Sequence, residues 1–427
     1  MKRAAALNAL ADAFTRRSKD VIDSLCLGNG KLRPEVTFEA MAIPRALRFA
    51  AGLSTQIFGR VSDPVPGKQC MSIRQAVGVA GLIIPWNSPS YLCIRALAPA
   101  MAAGCSSVIK MPSQAAQTSA VLCDILSTVD EIPEGIVNFF IESGSDGAQL
   151  LVSSPQVRTI SFTGSAKTRR IIAKAAGAEL KRVGLELGDK TPHLIFDDVD
   201  LEAVLPVIVK SLTVFAGQFC MTGSRVLVHQ SIAERGIAER AKPELTSRLK
   251  AVRPGPAADV TSEMGPLIDK QSVLRVNKEV EEAIASGAKV LLRGGPASEP
   301  ALKDGAFYYP TLLEVHNPSL SIVQNEVFGP VQTLQTFETE EEAILLANDT
   351  MYGLSACIWT KDAARQIRVS RQLDTGLISI NSWANLAMEF EEGRFKASGL
   401  GRLGGVAPLE DFLEYKQITQ DYIPTQH

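Results

Sequence analysis

Apolar residues recur at three- and four-residue steps, or multiples of them, at the start of the chain. Leu7, Leu10, Phe14, Val21 and Leu25 fall on one helical face, and Gly28-Asn29-Gly30 closes the run. The spacing predicts one amphipathic helix. A second helix is predicted around 35–53 from Phe38, Ile43, Leu47 and Phe49. Between 60 and 77 the pattern changes, and Pro64, Pro66 and Gly67 separate short β-prone stretches. That segment predicts a hairpin or arm outside the core.

From residue 77 onward, nearly continuous apolar strands alternate with helices. Strands are predicted at 77–84, 106–110, 137–141, 159–162 and 183–187, with helices to 103 and at 115–129, 145–153 and 165–176. Such alternation implies a parallel sheet covered on both faces. Sheets of this kind bind ligands beyond the carboxyl ends of their strands. A second block begins near 193, with a helix at 200–216, a strand at 225–228, helices at 231–250 and 271–286, and strands at 288–292 and 331–337. Helices at 340–348 and 362–372 follow, and 411–422 reads as an exposed strand. Gly188 and Pro192 mark the boundary between the blocks.

A chain of 427 residues exceeds one ordinary core, so two or three domains are expected. A formal charge of -2 offers nothing to a polyanion, and no nucleic-acid partner is expected. The 7 cysteines are scattered, with no Cys-x-x-Cys pair, which predicts a reducing, cytoplasmic setting without disulfides. The 4 histidines share no ligand spacing, so no metal is expected. The start lacks the apolar run of a signal peptide, and Pro85, Trp86, Asn87 and Pro89 interrupt the most apolar stretch, so no membrane association is predicted.

The familiar phosphate-binding motifs are absent. Ile160-Ser161-Phe162-Thr163-Gly164-Ser165 instead gives a strand, a tight turn and a helix start, which suits a diphosphate as readily as a plain serine N-cap. Cys220 lies between Gly217 and Gly223, where the backbone can approach a ligand, with Arg225 near in sequence. A thiol needs such help, because little of it is thiolate at neutral pH. Glu186 ends an apolar strand, where a carboxylate needs a task or a partner. Asn87 follows a strand and could donate to an oxyanion or simply shape a turn.

Taken in order, these motifs resemble the aldehyde dehydrogenase superfamily from about residue 5 to 420: Pro85-Trp86-Asn87, Lys110, Phe162-Thr163-Gly164-Ser165, Glu186-Leu187-Gly188, Gly217-Gln218-Phe219-Cys220, Glu326-Val327-Phe328-Gly329-Pro330, Gly376 through Asn381, and Lys396-Ala397-Ser398-Gly399. The resemblance implies an α/β protein with a Rossmann-like cofactor domain (1–57 and 77–188), a catalytic domain (189–402) and a β arm for oligomers (58–76 and 403–427). It implies a homodimer or homotetramer that oxidises a small-molecule aldehyde with NAD or NADP. Cys220 would be the nucleophile, Glu186 the base for thioester hydrolysis, and Asn87 an oxyanion donor. Lys110 and Glu326 would contact the two riboses and Ser165, on the Gly164 turn, the diphosphate. Trp86 and Phe328 would flank the cofactor.

The sequence departs from the family at Ser88, Asp189, Arg169 and Arg394, the last three standing where glycines are usual, and it begins later than most members. Arg169 and Asp189 would crowd ligand contacts, so the alternative is an impaired binding or structural relative. Ser113 stands where many NAD-preferring relatives carry glutamate, which implies that NADP is accepted. Arg95 lies eight residues after Asn87 on the same helix face and is expected to look into the aldehyde tunnel, favouring a distal anionic or polar group.

Overall fold

The computed structural model describes residues 1–231 and 237–422. Its first helical layer contains α1 (Lys2–Arg16), α2 (Ser18–Asn29) and α3 (Arg33–Leu53). The single helix expected over the first two is broken at Arg17, whose backbone leaves the helical region (φ -108, ψ 22). There the Arg17 side chain turns to Asp20 at 2.7 Å and Asp124 at 2.5 Å. Gly30, at φ 68, ends α2 in the left-handed conformation that favours glycine. Leu7, Leu10 and Phe14 of α1 bury against Ile43 and Leu47 of α3 and against Ile94 and Leu97 of α4 (Pro89–Ala103). Each such side chain contributes roughly 1.5–3 kcal/mol on burial.

A six-stranded sheet runs edge to edge through Gly399–Leu400, Arg182–Glu186, Val157–Thr163, Val79–Ile83, Ser106–Met111 and Val137–Ile141. All but the first are parallel, as the apolar strands predicted. A seven-stranded sheet runs through Lys289–Leu292, Thr311–Glu314, Val331–Phe337, Arg225–His229, Pro192–Ile195, Ser355–Trp359 and Leu377–Ile380. It is parallel except at its first edge. The chain passes from one sheet to the other between Glu186 and Pro192, and returns once, when Gly399–Leu400 pairs antiparallel with the strand ending at Glu186.

Arg60–Val65 and Lys68–Ala76 form the expected hairpin, and Leu413–Asp421 completes a three-stranded antiparallel sheet with it. Val61, Val65, Ile73, Tyr415 and Ile418 are exposed on it. The last residues of the predicted arm, 423–427, and the start of the predicted helix at 232–236 lie outside the described residues; that helix is described from Ile237 to Ala251. Four strands of the larger sheet escaped the hydrophobic pattern: Pro192–Ile195, Thr311–Glu314, Ser355–Trp359 and Leu377–Ile380. Polar residues such as His193, Glu314, Ser355 and Ser379 break up their short apolar runs.

The predicted helix 200–216 ends early, at Thr213. Phe215 and Ala216 then take left-handed backbone angles.

Asp189 joins the crossover to the larger sheet. Its carboxylate accepts from the Leu354 and Ser355 N–H groups at 3.1 and 2.9 Å and from the Thr191 hydroxyl at 2.6 Å. We predict that Asp189→Ala, which strands those buried donors, costs about 2–4 kcal/mol in urea unfolding. A loss below about 0.5 kcal/mol, the range of a neutral surface change, would mean that the carboxylate holds nothing.

Candidate active site

Glu186 is the last residue of its strand. Its carbonyl accepts the Gly164 N–H at 3.0 Å, and the next residue, Leu187, donates to the Ser398 carbonyl at 3.1 Å. The strand end is thus clamped between the Thr163-Gly164-Ser165 turn and the returning segment. The Glu186 side chain is buried, and Oε2 has no hydrogen-bond partner. Arg394 Nη2 faces that oxygen at 3.6 Å.

Asn87 follows the strand Val79–Ile83 and is buried just before α4. Its Nδ2 donates to the Gln218 carbonyl at 3.0 Å, which brings Asn87 to the loop two residues before Cys220.

That loop carries three consecutive positive φ angles, 53 at Phe215, 54 at Ala216 and 72 at Gly217. For the two non-glycine residues this conformation costs roughly 1–2 kcal/mol each. Glu35 of α3 holds the turn by accepting the Phe215 N–H at 2.8 Å, and Lys31 lies 3.7 Å over the Phe215 ring. A Cβ at Gly217 would come within 2.4 Å of the Gly329 backbone, so only glycine fits. Gln218 ties the loop to the Ile268 N–H at 2.8 Å, and Trp383 donates to the Met221 carbonyl at 2.7 Å. Cys220 sits half-buried among these anchors. Burial, then the carboxylates of Glu186, Glu392 and Glu326, push its thiol well above the ordinary range, while Arg95 pulls it down.

Arg95 departs from its expected role. Its guanidinium does lie near Cys220, but it is nearly buried and ion-paired with Glu392. Burial disfavours its charge, yet Glu392, Tyr91 and Glu186 outweigh that and hold it above its usual range. The charge expected to read a distal anion is already matched inside the chain. Glu392 was not foreseen, because Glu391-Glu392-Gly393-Arg394 reads as a solvated charged loop. Glu35 and Lys31 were missed for the same reason, being helix-entry charges without a motif.

The expected cofactor residues collect at the carboxyl ends of the smaller sheet's strands and across the crossover. Trp86 and Phe328 meet edge to face at 5.5 Å. Glu326 accepts the Asp189 N–H at 3.3 Å, and burial pushes its carboxyl up to about 7 against that bond. Lys110 is half-buried near its strand end and has no salt-bridge partner among the described residues. Ser113 is exposed and donates to Gln114 Oε1 at 3.3 Å. Ser165 caps the helix Ala166–Ala178 through the Thr168 N–H at 3.3 Å. A lysine with no salt-bridge partner among the described residues, a serine-capped helix start and two aromatic rings at the strand ends suit a dinucleotide.

Arg169 and Asp189 do not crowd this cleft as expected. Arg169 donates to the Ala397 carbonyl at 2.5 Å, and Asp189 is spent on the strand beginning at Ser355. Both satisfy their own chain, so the argument for an impaired relative falls.

The family model described as the aldehyde dehydrogenase family matches residues 1–418. The chain is 34% identical over 416 residues to betaine aldehyde dehydrogenase of Bacillus subtilis, covering 97% of this chain and 84% of that protein. It is 34% identical over 426 residues to 2-aminomuconic semialdehyde dehydrogenase of Danio rerio, covering 98% and 85%. Among solved structures, betaine aldehyde dehydrogenase from Staphylococcus aureus in complex with NAD+ superposes with a TM-score of 0.95 at 33% identity, over 99% of this chain and 83% of that one.

The ion pair generates a prediction. Arg95→Leu leaves Glu392 buried and unpaired, and should cost about 3–5 kcal/mol in urea unfolding, most of it recovered in Arg95→Leu/Glu392→Leu. Unchanged stability, with a raised KM confined to aldehydes bearing a distal carboxylate, would restore Arg95 as a substrate reader.

Proposed function

This chain belongs to the aldehyde dehydrogenase family, and on that premise we propose that Cys220, Glu186 and Asn87 carry its reaction. It oxidises aldehydes to carboxylic acids with NAD or NADP. The observation that supports the assignment is the Asn87 bond to the Gln218 carbonyl, which links the oxyanion donor to the nucleophile's own loop.

Cys220 Sγ, as thiolate, bonds to the aldehyde carbon. The carbonyl oxygen takes the negative charge beside the Asn87 amide and the Cys220 N–H, and such a donor contributes about 3–4 kcal/mol in comparable sites. Bound NAD(P)+ supplies the acceptor for the hydride, whose departure leaves a thioester. Glu186 then takes a proton from water as the water oxygen bonds to the acyl carbon. The C–S bond breaks, the thiolate returns, and the carboxylic acid leaves. Because its surroundings favour the protonated thiol, Cys220 also needs a base before attack; Glu186 is the nearby candidate, and it must hand that proton to solvent before it takes one from the hydrolytic water.

Lys110, Ser113, Gly164, Ser165, Glu326, Trp86 and Phe328 would hold the cofactor. Residues 1–57 and 77–188 would form the cofactor-binding domain, 189–402 the catalytic domain, and 58–76 with 403–427 the arm of a homodimer or homotetramer. The exposed apolar residues of the three-stranded sheet support that arm. No described helix is long and apolar enough to cross a membrane. The unpaired state of all seven cysteines supports a cytoplasmic location.

For the substrate, the neutral Arg95–Glu392 pair and the Phe219–Trp383 contact at 5.8 Å favour a polar aldehyde without a distal carboxylate. Betaine aldehyde, named for the Bacillus relative, is the first compound to try.

Two outcomes test this reading. Cys220→Ala should lose turnover, while Glu186→Gln should give a burst of reduced cofactor followed by a slow steady state. Wild-type turnover in either variant would remove that residue from its role. For the cofactor, uncharged Ser113 would repel no 2′-phosphate, so NADP should be used. Ser113→Glu should then weaken NADP relative to NAD by about 1–4 kcal/mol in kcat/KM. A wild-type preference for NAD that Ser113→Glu leaves unchanged would reject the role of Ser113.

A further inference from the structure

Arg394 reaches Glu186 from the segment that leaves the larger sheet and returns beside the smaller one. Its Nη1 donates to the carbonyls of Leu185, at 3.0 Å, and Leu400, at 2.7 Å. Leu185 is the residue just before Glu186, so the guanidinium is seated on the backbone that carries the proposed base. Only 2% of the Arg394 side chain is exposed, and its Nη2 lies 3.6 Å from Glu186 Oε2. That distance is too long for a hydrogen bond but close enough for strong attraction in a buried site. Oε2 therefore keeps its lone pairs free while a fixed positive charge stands beside it.

Charged and titratable groups surround Glu186 on every side. Arg394 and Glu392 come from the returning segment, Arg95 and Tyr91 from α4, and Cys220 from the nucleophile loop. Two of these are guanidiniums. The second carboxylate, Glu392, is already taken up by Arg95. Arg394 also attracts Glu392, and it is the cation within 4 Å of Glu186.

We propose that Arg394 is a positioning residue that fixes the Glu186 carboxylate for thioester hydrolysis. The proposal rests on Glu186 being the base. A guanidinium seated on the Leu185 carbonyl gives the carboxylate one fixed neighbour in a buried region that it shares with Glu392 and Cys220. A contact of 3.6 Å also leaves Oε2 open to accept a proton from water.

The test follows the burst of reduced cofactor and the steady state after it in Arg394→Gln and Arg394→Lys, after thermal melting shows which variants fold. Arg394→Gln should keep the burst and slow the steady state by roughly tenfold or more, part of the 10²–10⁴ that a placed base contributes. Arg394→Lys, with one nitrogen for three partners, should give an intermediate steady state. An unchanged steady state in a folded Gln variant overturns the proposal. So does an equal fall in burst and steady state, which would mark a purely structural arginine. If the Gln variant does not fold, the Lys variant decides: a kept burst with a slowed steady state supports the role and an unchanged steady state overturns it. Glu186→Gln separates the two readings. Wild-type hydrolysis there defeats the base itself, whereas slowed hydrolysis there with an unchanged steady state in the Arg394 variants defeats only Arg394.

Discussion

Phe215, Ala216 and Gly217 place Cys220 by turning left-handed in succession, and they stay there because α3 bonds to them. Glu35 accepts the Phe215 N–H, and Lys31 covers the Phe215 ring. Lys31 is in turn ion-paired at 2.6 Å with Glu39, and Glu39 accepts from the hydroxyl of Ser90 and the N–H of Tyr91 at the start of α4. One helix thus braces both the nucleophile loop and the helix that follows Asn87. Burial raises the Glu35 carboxyl despite its two backbone donors, and Lys31 and Glu39 beside it are withdrawn from water. Such withdrawal is costly for single charges and tolerable for bonded ones.

The same principle shapes the acids around Cys220. Arg95 faces Glu392 and Arg394 faces Glu186, so two positive and two negative groups share one buried region. The thiol is raised by burial and by three carboxylates, and Arg95 softens that effect without reversing it. The resting site therefore favours a protonated cysteine. Reactivity has to come from a base and from donors that act once the oxyanion forms, which agrees with placing Asn87 and Glu186 beside it.

Much of the fold was legible because parallel strands buried on both faces read as apolar runs, and those at 137–141 and 331–337 match to the residue. Four strands of the larger sheet were not, since polar residues such as His193, Glu314, Ser355 and Ser379 break up their short apolar runs. The break at Arg17 was hidden because no glycine or proline marks it, and the Arg17 partner Asp124 is distant in sequence. At the candidate site, Cys220, Glu186 and Asn87 could be picked out by their glycines and strand ends. Their partners could not. Glu392 and Arg394 look like loop charges, and only the return of Gly399–Leu400 to the strand ending at Glu186 brings Arg394 against it. The sequence offers Arg95 no visible partner, because Glu392 lies almost three hundred residues away along the chain.

We propose that this left-handed turn presents Cys220, and no other cysteine, to the aldehyde carbon. The most direct measurement is peptide mass spectrometry of Glu186→Gln quenched after mixing with an aldehyde and NAD+. One acyl group is expected on the peptide containing Cys220, in amounts matching the reduced cofactor formed. Reduced cofactor without an acyl group on that peptide, or with the acyl group on another cysteine, would contradict it.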